Sequence, residues 1–179
     1  MATQGIDLSD FDPSDFPNTQ DFKFGIVKAK WNSEITNSLY DGALASFLAT
    51  GTLAENIISI EVPGAFELVY GAKLLCKNND LDAVMVIGNV IQGETKHFDY
   101  VCEAVSQGIK DLNVHQDIPV IFCVLTDNNM EQSRARSGGK HGNKGIECAS
   151  AALEMAILRR EFSKKLLECP DEHLGLLFL

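Results

Sequence analysis

The sequence predicts a three-layer α/β/α domain built on a four-stranded parallel sheet. Three observations carry that expectation. Short segments apolar on both faces recur four times, amphipathic helical patterns separate them, and polar and aromatic residues gather just after the strand-like segments. Strands apolar on both faces belong to sheets covered on both sides. Helices between them make right-handed crossovers.

Residues 22–29 read as the first short buried strand. Residues 33–50 carry Ile35, Leu39, Ala43 and Phe47 at a spacing of four, which marks one helix face, and Gly51 follows as a helix stop. Residues 57–62 give the second strand, followed by a helix through Phe66, Val69 and Leu74 to Cys76. Residues 82–91 form a near-continuous apolar third strand, and Val101, Val105, Ile109 and Leu112 line the helix after it. Residues 118–126 are the fourth strand. Two helices follow, over 130–136 and from about 143 through Leu153, Ile157 and Leu158. The economical arrangement of these elements is flavodoxin-like.

Both ends fall outside this pattern. Residues 1–21 hold five aspartates, two prolines and no Lys or Arg, so they are expected to form a mobile acidic arm outside the core. Residues 22–160 form the expected core domain. Residues 161–179 are expected to continue as a helical extension that Pro170 stops, ending in the apolar run Leu174-Gly175-Leu176-Leu177-Phe178-Leu179.

Composition bounds the function. The 179 residues carry a net charge of −10, with a pI near 4.7. A net anion lacks the electrostatic footprint for nucleic acid or an acidic membrane surface. No apolar run approaches the length of a spanning helix, and the first residues lack a basic segment followed by an apolar stretch. Cys76, Cys102, Cys123, Cys148 and Cys169 are odd in number and widely spaced, which suits packing residues of a reducing, cytoplasmic compartment.

In an open parallel sheet, ligands bind beyond the carboxyl ends of the strands. That rule singles out Lys30-Trp31-Asn32, Pro63-Gly64-Ala65-Phe66-Glu67, Gln92-Gly93-Glu94-Thr95-Lys96-His97 and Asp127-Asn128-Asn129. Gly93 permits close backbone approach, and free N–H groups at a helix start beside Thr95 favour an anion, phosphate above all. The same dipole disfavours an imidazolium, so His97 suits proton acceptance; a capping Thr beside a surface His is the plainer alternative. Trp31 either stacks a flat heterocycle, with Asn32 bonding the ring edge, or seals the sheet edge. Phe66 and Glu67 carry the same two readings. The run from Arg134 to Gly145 concentrates two Arg, two Lys and four Gly, which fits a phosphate site or a solvated Gly-rich turn. It does not fit a Walker A loop.

Five ordered blocks resemble the lumazine synthase family over residues 22–160. They are Ala29-Lys30-Trp31-Asn32, Val62-Pro63-Gly64-Ala65-Phe66-Glu67-Leu68, the stretch from Ile87 to Tyr100, Pro119-Val120-Ile121-Phe122, and Lys140-His141-Gly142-Asn143-Lys144-Gly145. The resemblance implies condensation of 5-amino-6-(D-ribitylamino)uracil with 3,4-dihydroxy-2-butanone 4-phosphate, with no metal and no organic cofactor. It implies that Trp31 stacks on the pyrimidine and that Asn32, Ala65, Phe66 and Glu67 contact the uracil and ribityl groups. Val90 and Ile91 fall in the same substrate-binding block. Gln92, Gly93, Glu94 and Thr95 match the loop that meets phosphate. His97 matches the proton-transfer residue, oriented by Glu147. Arg136 would clamp the phosphate, and Phe122 and Lys144 would join it from an adjacent subunit.

The resemblance also implies partners. The family forms ring pentamers, and some members close twelve of them into a 60-subunit icosahedral shell. The compact turn over 138–144 resembles the shell-forming members, and a shell could hold riboflavin synthase as cargo. Three positions depart from the family pattern: Gln92 stands where a basic residue is common, Glu94 adds a carboxylate, and Val69 stands where proline is usual. Two rivals compete with this reading. A flavodoxin-type flavin module lacks its Thr/Ser-Gly phosphate loop here, since Lys28-Ala29-Lys30-Trp31 stands there. A non-catalytic shell protein would bind lumazine or riboflavin without making it.

Overall fold

The computed structural model describes residues 7–168. Four strands, β1 (Phe24–Ala29), β2 (Ile57–Val62), β3 (Ala83–Ile91) and β4 (Val120–Asp127), form one parallel sheet in the order β2-β1-β3-β4. The crossover helices are α1 (Ser33–Ala49), α2 (Leu68–Asn78) and α3 (His97–His115). After β4 come α4 (Met130–Arg136), a small antiparallel hairpin of β5 (Ser137–Gly139) and β6 (Gly142–Asn143), and α5 (Lys144–Glu168). This is the expected three-layer, flavodoxin-like arrangement.

Alternation along the strands sorts the core into two halves. Phe24 and Ile26 of β1 and Met85 and Ile87 of β3 point to the side of α1 and α5, where they meet Leu39, Phe47, Ala149 and Leu153. Val27, Val84 and Val86 point the other way, onto Leu68, Ala72 and Leu75 of α2 and Val105 and Ile109 of α3. Period-two side chains on a sheet covered twice produce this division. Full cover holds for the central strands only. The edge strand β2 leaves Ile58 exposed, and the other edge, β4, leaves Phe122 exposed. Their apolar composition therefore does not translate into full burial within the chain.

Close backbone approaches set the helix positions. A Cβ on Gly71 would stand 2.6 Å from Val27 Cγ1, so α2 rests directly on the sheet. One on Gly145 would stand 1.9 Å from the Leu39 carbonyl oxygen, so α5 starts hard against α1. Helix α2 begins at Leu68, two residues later than its apolar pattern predicts. It has no side-chain cap; instead Glu67 Oε2 folds back to accept the Gly64 N–H at 2.9 Å.

The acidic arm departs from its composition. Within residues 7–21, Thr19 is fully buried, its hydroxyl bonded to those of Thr50 and Thr52 at 2.9 and 2.7 Å. Phe11 and Phe16 stack on each other and pack against the core. Leu8 N–H donates to the His141 carbonyl at 2.9 Å, and Asn143 N–H donates to Ser9 Oγ at 2.9 Å. Two aromatics and a buried threonine outweigh the acidic composition, which governs only the solvent face. At the other end, α5 runs unbroken through Arg160 to Glu168, and the apolar run over 174–179 lies outside the described residues.

Arg160 ties these parts together. Its guanidinium grips Asp82 through Nε and Nη2, reaches Asp21 Oδ2 through Nη1 at 2.9 Å, and lies 3.7 Å from the centre of the Phe22 ring. Asp82 is almost fully buried, and its Oδ2 also accepts the Lys23 N–H at 2.8 Å. Replacing Arg160 with leucine leaves that carboxylate buried without its cation. Arg160→Leu is expected to lower unfolding stability by about 2–3 kcal/mol, read as a drop in denaturant midpoint at fixed protein concentration.

Candidate functional site

Strand order reverses between β1 and β3, because β2 lies on one side of β1 and β3 on the other. The two connections leave in opposite directions and open a crevice beyond the carboxyl ends. A cleft of about 550 Å³ occupies that place. Trp31 and Asn32 enter it from the end of β1, Gly64, Ala65, Phe66 and Glu67 from the loop after β2, and Asn89, Val90 and Ile91 from β3. His97 and Val101 of α3 complete the lining.

Two aromatic faces stand open at this site. Trp31 is 70% exposed and Phe66 is 60% exposed, although large apolar rings are normally covered. Trp31 therefore does not seal the sheet edge. Its backbone N–H donates to the Pro63 carbonyl at 3.2 Å, which pins the first loop to the second. Asn32 is the sole described non-glycine residue with positive φ, at φ 56° and ψ 48°. Asparagine tolerates this left-handed conformation better than most residues. Here its Nδ2 donates to Asn89 Oδ1 at 2.8 Å and approaches the Asn89 carbonyl oxygen at 3.3 Å.

His97 is the first residue of α3 and is exposed. Its N–H approaches Thr95 Oγ1 at 3.4 Å, so Thr95 covers one free donor of the helix start. Gln92, Gly93, Glu94 and Thr95 form the exposed loop that leads into this helix, at the rim of the cleft and not in its lining. Gln92 N–H donates to the Asp127 carbonyl at 2.9 Å and ties the base of the loop to the end of β4. A Cβ on Gly93 would meet open space, so its position leaves room for a ligand to approach the backbone.

Four further residues singled out in the sequence stand away from this cleft. Phe122 is exposed on the outer strand β4, and its carbonyl faces Cys148 Sγ on α5. Lys144 opens α5 and donates to Glu147 Oε1 at 2.6 Å. Glu147 Oε2 is buried and has no donor among the described residues. Arg136 ends α4, donates to the Gln132 carbonyl at 3.0 Å and faces Asp127 Oδ1 at 3.7 Å. It lines a second, polar hollow with Gln132, Lys140 and His141. Glu147 contacts Lys144, not His97, within the chain. In the basic run, Arg134 is held by Glu34 in a two-pronged pair at 2.7 and 3.0 Å, while Arg136 faces Asp127.

The cysteines pack as their apolar surroundings predict. Cys76, Cys123 and Cys148 are buried, and burial pushes the Cys76 thiol up to about 11. Cys123 is also pushed up, by its contact with Cys148 and then by burial, whereas that same contact lowers Cys148. Cys169 lies outside the described residues. Sequence reasoning missed Asn89, Ser133 and the role of Asp127, buried polar groups under the cleft. Their signal was a polar residue at the end of an apolar strand, or on the inner face of a short helix.

Geometry of this kind defines an α/β protein with an open, aromatic-lined cleft at a topological switch point, where sheets of this class take small molecules. Comparison with known proteins sharpens that class. Residues 21–160 match the family model described as 6,7-dimethyl-8-ribityllumazine synthase. A 6,7-dimethyl-8-ribityllumazine synthase of Christiangramia forsetii is 60% identical over 162 residues, covering 90% of this chain and 96% of the relative. That of Flavobacterium johnsoniae is 59% identical over 163 residues, covering 91% and 86%, and that of Porphyromonas gingivalis 49% over 160 residues, covering 89% and 99%. The chain belongs to the 6,7-dimethyl-8-ribityllumazine synthase family. It is an enzyme, a transferase that serves riboflavin biosynthesis.

Trp31 is the chain's single tryptophan, so indole emission reports on the cleft alone. A flat heteroaromatic that enters the cleft is expected to quench that emission saturably. Trp31→Phe should abolish the signal while circular dichroism stays unchanged.

Proposed function

We propose that the enzyme condenses 5-amino-6-(D-ribitylamino)uracil with 3,4-dihydroxy-2-butanone 4-phosphate. The products are 6,7-dimethyl-8-ribityllumazine and inorganic phosphate, in the penultimate step of riboflavin biosynthesis. The observation that carries this reading is the division of the candidate groups. Stacking rings, Asn32 and His97 line one cleft, whereas Phe122, Lys144, Glu147 and Arg136 stand elsewhere on the same chain. Head-to-tail association about a rotation axis closes such complementary half-sites into a ring. Glu147, whose side chain is half-buried and bonded to Lys144 through Oε1, is the carboxylate this reading pairs with His97 of a neighbouring copy.

In this site Trp31 and Phe66 hold the pyrimidine face, while Asn32 bonds the ring edge. Glu67 keeps one carboxylate oxygen on Gly64 and offers the other to ribityl hydroxyls. The helix start at Thr95 and the Arg136 guanidinium take the phosphate. The amine attacks the ketone, water leaves to give an imine, phosphate is eliminated, and the second ring closes with loss of water. His97, at the start of α3, moves the protons between these steps. The reading includes no metal and no organic cofactor, and each step is an addition, an elimination or a proton transfer. Oriented pairing can contribute up to about 7–11 kcal/mol, so positioning outweighs acid–base work.

The reading also includes a homopentamer, assembled as a 60-subunit icosahedral shell in the cytoplasm, with riboflavin synthase as a candidate guest. The net charge of −10 supports substrates and protein copies as partners ahead of nucleic acid. No helix among the described residues is long and apolar enough to cross a membrane.

Incubation with both substrates is expected to yield the fluorescent lumazine. Absence of product, or a purified protein carrying stoichiometric yellow flavin, overturns the assignment. His97→Ala should slow turnover by about 10²–10⁴-fold. A loss beyond about six decades contradicts catalysis by positioning. Arg136→Ala should raise KM for the phosphate substrate by about tenfold or more. Sedimentation at neutral pH in phosphate buffer should show closed shells, and free pentamers alone would refute the shell.

A further inference from the structure

A line of buried hydrogen bonds runs beneath the cleft from Asn32 towards Arg136. Asp127, the last residue of β4, has Oδ2 2.7 Å from Ser133 Oγ and Oδ1 3.7 Å from Arg136 Nη1. Ser133 Oγ lies 2.8 Å from Asn89 Nδ2, and Asn89 Oδ1 lies 2.8 Å from Asn32 Nδ2. Ser133 is 0% exposed and Asn89 is 2% exposed. Three elements contribute: β3 through Asn89, β4 through Asp127 and α4 through Ser133.

One end dictates the polarity of the whole line. Asp127 turns Oδ1 to the Arg136 guanidinium, and its Oδ2 accepts from the Ser133 hydroxyl. Ser133 has a single hydroxyl proton and gives it to Asp127, so its Oγ accepts on the other side. Asn89 must then turn its NH₂ to Ser133 and its oxygen to Asn32. Asn32 must answer with its own NH₂, which leaves its Oδ1 as the edge turned away from the line. The amide orientations follow from the carboxylate and do not depend on how amide atoms are named. Asn32 stands in the left-handed region, and besides Asn89 Oδ1 at 2.8 Å its side chain has only the longer contact to the Asn89 carbonyl, at 3.3 Å, among its described bonds.

We propose that Ser133 and Asp127 are positioning residues that fix the Asn32 amide with Oδ1 towards the cleft. There it selects a ring N–H or amino donor on the pyrimidine edge. The inference rests on the reaction proposed above. Neither residue lines the cleft, and each acts through Asn89. Ser133 is the clean place to cut, because the Asp127 side chain also faces Arg136.

The test is steady-state kinetics of the full-length assembly with both substrates. Ser133→Ala is expected to raise KM for the ribitylaminopyrimidine about five- to tenfold, the scale of one hydrogen bond. KM for the butanone phosphate and the oligomeric state should not change. Ser133→Cys keeps the shape with a weaker donor and should fall between, which guards against misfolding of the alanine variant. Asn32→Gly keeps the left-handed backbone and deletes the amide. Asn32→Gly/Ser133→Ala should then be no worse than Asn32→Gly, because nothing is left to orient. A Ser133→Ala enzyme that melts earlier but keeps its pyrimidine KM within about twofold overturns the inference, as does additivity in the double variant. Failure of the wild type to make product removes the proposed reaction itself. Normal wild-type turnover with a silent Ser133→Ala removes only the positioning role.

Discussion

The reversal of strand order between β1 and β3 is the constraint on which the rest depends. Both strands are buried on both faces, so their backbone groups are consumed by the ladder until the strands end. Where they end, the chain leaves for opposite sides and cannot cover the gap. Asn32 takes up a left-handed turn at that point, and Asn89 meets it from β3. The cleft is the space that the topology leaves open, floored by polar groups that the two strand ends must satisfy.

That floor explains why so apolar a sheet tolerates buried polar side chains. Asn89, Ser133 and Asp127 satisfy one another at hydrogen-bond distance, and Arg136 balances the carboxylate. A buried network is costly when half-satisfied and specifies structure when complete. Here the completed network joins the cleft to the α4 region that carries Arg136.

Charge is distributed with the same economy. The chain is strongly acidic overall, yet Arg134, Arg136, Lys140 and Lys144 fall within a short stretch around the hairpin. Three of these cations are committed locally, Arg134 to Glu34, Arg136 to Asp127 and Lys144 to Glu147. The acidic arm is laid over the same hairpin through Leu8 and Ser9, and Gly142 leaves the space it needs: a Cβ there would stand 2.2 Å from Asp7 Oδ1. A segment whose composition reads as solvated is held by a few well-placed contacts.

Residue periodicity alone determined the layer order of this protein. The apolar runs of β1 and β3 and the i, i+4 faces of α1 and α3 read directly, because burial on both faces of a strand or one face of a helix leaves a local trace. The loops at the strand ends were legible for the same reason, since Trp31, Phe66 and His97 interrupt apolar runs where a sheet must end. Other features had no local trace. Phe122, Lys144 and Glu147 read as site residues only by resemblance, and their place away from the cleft, like the tethering of the arm and the line through Ser133, was decided by tertiary structure. Each depends on residues between about 20 and 130 positions apart meeting in space, as Ser9 meets Asn143 and Asn89 meets Ser133. No periodic pattern encodes such meetings; the packing of three layers creates them.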